Sequence, residues 1–140
     1  MCACTADDLP WLRVWAPEAL VLPLGLALFL ANRKQLGLFD LPSLDTAIIV
    51  LTSLDESPLA PRHRDVLWRA FGVPVFEQLR GPDGAVIARE CEVHDGLHIT
   101  GSFWVKALPH MRGEIVNDHC ACGAETPRLR PALKKSATAA

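Results

Sequence analysis

Two short segments hold most of the residues able to bind a metal or act as a nucleophile. The first reads Arg89-Glu90-Cys91-Glu92-Val93-His94-Asp95-Gly96-Leu97-His98, and the second Asn117-Asp118-His119-Cys120-Ala121-Cys122-Gly123. Zinc prefers thiolate and imidazole ligands in a closed tetrahedron. Asp95-Gly96 predicts a turn with Cys91 and His98 on its two arms. An extended backbone at 120–122 would aim Cys120 and Cys122 to the same side, because side chains alternate with period two. Two ligands from each segment then close a Cys3His set. Such a set has no open position, so the one zinc ion it holds is expected to be structural. His94, three residues after Cys91, and His119, beside Cys120, are alternatives to His98. The competing reading is three reduced cysteines in a small core, since free cysteine is often buried. Cys91 with a histidine would also suit a thiol enzyme, which needs a free thiolate of low pKa.

Metal binding would change the charge balance. Zinc brings +2 and three thiolates bring −3 with histidine neutral, so the site is net −1. The chain, formally −2, would move to −3. Arg89 and Arg112 are the nearby candidates to offset this. Because the unfolded chain has no preformed site, binding here would contribute to folding itself.

These segments sit in a chain of 140 residues, half of them hydrophobic and 21% charged. That excludes a disordered chain and points to one domain with tails. With 14 basic and 16 acidic residues, the chain lacks the basic face that sequence-independent nucleic-acid binding requires. The five cysteines include an odd one, and Cys120-Ala121-Cys122 is too tight a loop for an easy bridge. Both argue for a reducing, cytoplasmic setting.

The elements expected to position the site are α/β. Ala19 to Ala31 is an uninterrupted apolar run. It is shorter than the about 20 residues a membrane span needs, so a buried N-terminal helix continuing to about Leu36 is expected, with membrane attachment as the lesser alternative. A βαβ unit follows: strand 47–52, helix 61–71 opened by Pro61 and closed by Gly72, strand 73–77. Gly81-Pro82-Asp83-Gly84 turns the chain into a hairpin over 75–90. Short strands are expected at 98–100, 103–105 and 114–116, making a small, mostly antiparallel sheet that carries the metal site. Residues 1–127 form a single compact domain in this reading, with 1–15, including Cys2 and Cys4, as a frayed segment and 128–140 as a disordered basic tail.

The residues of the candidate site also resemble the phenylacetate–CoA ligase family of AMP-forming enzymes. The family has a similar Glu-Cys-Glu followed by Asp-Gly-Leu-His, matching Glu90-Cys91-Glu92 and Asp95-Gly96-Leu97-His98, then a Cys-x-Cys-Gly and a Pro-Arg, matching Cys120-Ala121-Cys122-Gly123 and Pro127-Arg128. The resemblance spans roughly residues 24–130 and implies zinc held by Cys91, His98, Cys120 and Cys122. The departures are equally informative. The family's Tyr-Gly-x-Ser/Thr-Glu motif, which contacts the adenylate, corresponds here to Phe76-Glu77-Gln78-Leu79-Arg80-Gly81, and the chain has no tyrosine. The glycine-rich phosphate loop and the C-terminal domain with the catalytic lysine have no counterpart. The resemblance therefore implies a zinc-stabilised, non-catalytic piece of the ligase core that binds a partner protein or an acyl ligand. The alternative is a residual ligase component active only with a partner chain.

Overall fold

The structure, a computed structural model, describes residues 2–3, 11–110 and 113–131. The chain is α/β with both parallel and antiparallel strand pairing. It divides into two units, Met1–Thr52 with Leu59–Gln78, and Ser53–Pro58 with the rest of the chain from Leu79. Each unit has its own hydrophobic cluster.

In the first unit, strand β1 (Cys2–Ala3) pairs in parallel with β2 (Ala19–Pro23), and β2 pairs in parallel with β3 (Ala47–Ser53). A one-turn helix α1 (Leu12–Trp15) lies between β1 and β2 in sequence, and α2 (Leu24–Gln35) follows β2 directly. Residues 1–15, expected to fray, therefore contribute β1 and α1, and Leu12 is fully buried. Residues 4–10, with Cys4, lie outside the described residues.

The apolar run is divided between two elements, which corrects the expectation of one helix from Ala19. Its first five residues are strand β2, and the helix begins only at Leu24. Pro23 sets the division: its extended backbone (φ −64°, ψ 154°) is the N-cap, and proline is tolerated at a helix start but not within one. Burial decides the first half. Leu20 and Leu22 are almost wholly buried in the core, each contributing about 1.5–3 kcal/mol. Helix propensities differ by less than about 0.7 kcal/mol among ordinary residues and cannot compete. Among the described residues, no helix is long and apolar enough to cross a membrane.

Helix α3 (Pro61–Phe71) spans the residues expected, with Pro61 in its first turn and Gly72 closing it at φ +66°. It packs against α2, and its Leu67 and Ala70 join Leu30, Ile48 and Val50 in the core. The strand expected at 73–77 is β4 (Val75–Arg80), shifted toward the C-terminus. Pro74, which has no N–H to give a ladder, lies just ahead of it and accepts a hydrogen bond from Ile48 N–H (2.9 Å).

In the second unit, the turn after β4 is closed by Gly81 N–H donating to the Ala85 carbonyl (2.8 Å), and β5 (Val86–Glu90) follows. β5 pairs antiparallel with β6 (Leu97–Ile99), β6 with β8 (Arg128–Pro131), and β8 with β7 (Gly113–Val116). The mostly antiparallel second half is therefore present, with two corrections. Residues 103–105 belong to a helix, α4 (Ser102–Ala107), not a strand. Trp104, Val105 and Leu108 reach the second core at the i, i+1, i+4 spacing of a helical face, while Phe103 stays 67% exposed. And the expected tail begins with a strand: Arg128 and Leu129 in β8 are buried. Residues 132–140 lie outside the described residues.

Candidate metal centre

The antiparallel register of β5 and β6 sets Arg89 opposite His98 and Glu90 opposite Leu97. Cys91 therefore leaves the end of β5 just as His98 arrives on β6. The intervening loop turns at once, with His94 N–H donating to the Cys91 carbonyl (3.0 Å). His94 and Gly96 both take left-handed backbone, φ 58° and 80°. At Gly96 no side chain fits, because an added Cβ would lie 2.9 Å from the Leu129 carbonyl oxygen on β8.

The second pair of cysteines comes from the connection between β7 and β8. A matching turn forms there, with Gly123 N–H donating to the Cys120 carbonyl (2.9 Å). The extended backbone expected at 120–122 is thus a turn. Cys120 and Cys122 converge because the chain curls around the site, not because side chains alternate along a strand.

The structure brings Cys91, His98, Cys120 and Cys122 together, with their ligand atoms all within 4.8 Å of one another. Cys91 Sγ is 3.8 Å from Cys120 Sγ, and Cys122 Sγ is 3.5 Å from His98 Nε2. Cys120 is buried and the other three are partly so. These three cysteines and one histidine can hold a metal ion.

Each sulfur also receives a backbone amide from two residues on. Val93 N–H donates to Cys91, Cys122 N–H to Cys120, and Ala124 N–H to Cys122 at 3.4 Å. Amides aimed at sulfur favour its ionised form. His98 is held from its other side, with Nδ1 2.7 Å from Thr126 Oγ1. A metal-facing Nε2 puts the ring proton on Nδ1, which then donates to the hydroxyl and fixes the ring plane.

Without a cation, burial pushes the Cys91 thiol up to about 11, and the neighbouring Cys120 and Cys122 sulfurs add to the rise. That is the opposite of what a nucleophilic cysteine needs, and it weighs against Cys91 as a catalytic thiol. Cys120 is displaced downward, first by the Cys122 amide. A cation between the sulfurs would reverse the rise at Cys91, since metal coordination deprotonates a thiol outright.

The alternative ligands lie elsewhere. His94 Nδ1 is 2.5 Å from the carboxylate of Glu90, and His119 is exposed and stands outside the four-residue group. His63 Nδ1 accepts from Ala60 N–H at the start of α3 (3.3 Å).

The charge offset falls to a residue that sequence reasoning assigned to the tail. Arg89 is exposed and Arg112 is outside the described residues. Arg128, 1% exposed, instead lies in the same charge neighbourhood as Cys120 and helps hold its pKa down. Its Nη1 donates to the Asp95 carbonyl (2.6 Å) and meets the Asp95 carboxylate at 3.0 Å, while its Nη2 pairs with Asp118. Arg130 grips the same Asp95 carboxylate through two hydrogen bonds of 3.1 Å. The two arginines hold the Asp95 carboxyl below its ordinary value. A local signal for the strand existed, since in Arg128-Leu129-Arg130 a single apolar residue alternates with charged ones, but that pattern alone turns Arg128 toward solvent.

No protein-family model matches the chain, and no curated protein matches it.

Proposed function

We propose that this chain is a non-catalytic, zinc-stabilised module, resembling the core of the phenylacetate–CoA ligases, that binds a partner protein. The observation that carries the reading is the closed Cys91–His98–Cys120–Cys122 set. Tetrahedral zinc with Zn–S of about 2.3 Å and Zn–N of about 2.05 Å separates two sulfurs by about 3.8 Å, and a sulfur from a nitrogen by about 3.5 Å. The sulfur pair at 3.8 Å and the sulfur–nitrogen pair at 3.5 Å match two edges of a tetrahedron around an ion of zinc's size. Four protein ligands leave no position for water or substrate, which supports a structural role.

The magnitude of the effect supports it as well. Structural zinc contributes about 10–16 kcal/mol in small metal-folded peptides, against a total stability of about 5–15 kcal/mol for a typical domain. The second unit has a small core, so an ion joining its two turn-bearing connections would govern whether it folds. In this reading β3, α3 and β4 are the βαβ unit of the ligase-like core. The partner-binding role is supported by exposed apolar residues of the first unit, Trp11, Val14 and Trp15 around α1 and Val66 and Trp68 on α3. Large aromatic side chains left in water are characteristic of interaction surfaces.

The test is metal content. Protein purified without added metal is expected to carry one zinc per chain, and Cys122→Ser is expected to lose it together with the folding of the second unit. Metal-free protein with all its thiols open to titration would overturn the reading.

A further inference from the structure

The two connections that carry the four ligands are bridged by one buried side chain. Asp95 stands in the loop between Cys91 and His98, and Asp118 stands two residues before Cys120. Arg128 reaches both, through Nη1 to the Asp95 carbonyl and carboxylate and through Nη2 to Asp118. Its own backbone is opposite His98 across β6 and β8. The side chain is 2% exposed and its Nε has no hydrogen-bond partner. A buried guanidinium with an unmet donor is a costly way to fill a core position. Its two carboxylate partners are 45% and 66% exposed, so solvent screens them more than it screens the guanidinium.

We infer that Arg128 is a positioning residue for the metal centre: it holds the Asp95 loop against the Asp118 loop before the ion arrives. The inference rests on the zinc reading above. The bridge is geometric as well as electrostatic. A guanidinium presents a planar fork that spans two acceptors, whereas a lysine ammonium supplies the charge from a single point. Assembling two loops in advance removes ordering entropy from the binding step, which appears as affinity.

The test is Co2+ binding to the full chain, measured by competition with a chelator and by the thiolate-to-cobalt absorption bands. Arg128→Lys is expected to weaken Co2+ binding about 10–100-fold, the range found when partners that orient metal ligands are lost. The one-ion stoichiometry and band positions of tetrahedral thiolate coordination should persist. Arg128→Gln, which loses the charge too, is expected to bind more weakly than Arg128→Lys. Arg62→Gln, an exposed change of equal charge on α3, is expected to leave affinity unchanged. Should the Arg128 variants fail to fold, Asp118→Ala decides, because it cuts one arm of the bridge at an exposed side chain and is also expected to weaken binding. Variants that bind Co2+ as tightly as the unaltered chain would overturn the role of Arg128 and leave the metal centre standing. An unaltered chain that binds no Co2+ would overturn the metal centre and this inference with it.

Discussion

Thr126 Oγ1 lies 2.7 Å from His98 Nδ1, on the ring edge away from Cys122. By holding Nδ1 the hydroxyl fixes which nitrogen of His98 faces the sulfurs. Thr126→Val keeps the shape and removes the acceptor. It is expected to weaken metal binding about 10-fold, the low end of the range for lost ligand-orienting partners, with stoichiometry unchanged. Chelator competition measures it, and an unchanged affinity would show that the hydroxyl orients nothing.

The choice among histidines is testable by stoichiometry. His94 is engaged with Glu90 and His119 is exposed outside the cluster. His94→Ala and His119→Ala are each expected to retain one metal per chain. His98→Ala is expected to lose it or to bind far more weakly. Loss of metal in His119→Ala with retention in His98→Ala would exchange their roles.

Gly96 is where the ligand-bearing loop presses on its neighbouring strand. Its φ of +80° and the 2.9 Å approach of an added Cβ to the Leu129 carbonyl act together. The obstruction is backbone paired in a sheet, not a side chain that can swing aside. Gly96→Ala is expected to cost at least about 1–3 kcal/mol, the scale of backbone strain alone, measured by denaturant unfolding of the metal-loaded protein. Gly25→Ala is the control: it sits in helix α2 with nothing within 4 Å of its added Cβ, and alanine is the better helix former. It is expected to be neutral or stabilising.

The start of α3 is expected to be sensitive to mild acid. Burial first, and the nearby Arg62 second, lower the pKa of His63 below its ordinary 6.5. The unfolded chain therefore takes up this proton at a higher pH than the folded one. Stability from this group is complete above about pH 6.5 and declines as pH falls through that value toward the lowered folded pKa. Protonation also removes the Nδ1 lone pair that accepts from Ala60 N–H. Thermal midpoints between pH 7.5 and 5 should fall in the unaltered chain and fall less in His63→Gln. Equal slopes would remove His63 as the cause.

Spacing along the chain was enough to nominate Cys91, His98, Cys120 and Cys122, because metal ligands must be particular residue types and a turn signal lay between two of them. It was also enough to place α3, where Pro61 and Gly72 bracket an amphipathic pattern, and the β-branched strand expected at 47–52, which the structure has as Ala47–Ser53. These are local matters, decided by dihedral preferences and side-chain chemistry within a few residues.

Tertiary structure decided the rest. Whether Ala19–Pro23 is strand or helix depends on what buries Leu20 and Leu22, and a continuous apolar run suits both. Phe103-Trp104-Val105 has the composition of a strand, yet packing on the second core makes it helical. Arg128 shows the limit most plainly. Beside Arg130 and the later lysines it reads as the start of a solvated tail. Pairing of β8 with β6 and β7 places it in the interior, where a charge persists only if it is paired. Its partners Asp95 and Asp118 lie 33 and 10 residues away in the chain, and no local pattern specifies contacts at that range. They exist because β6 and β8 pair, and that pairing carries Arg128 between the two loops that hold the ligands.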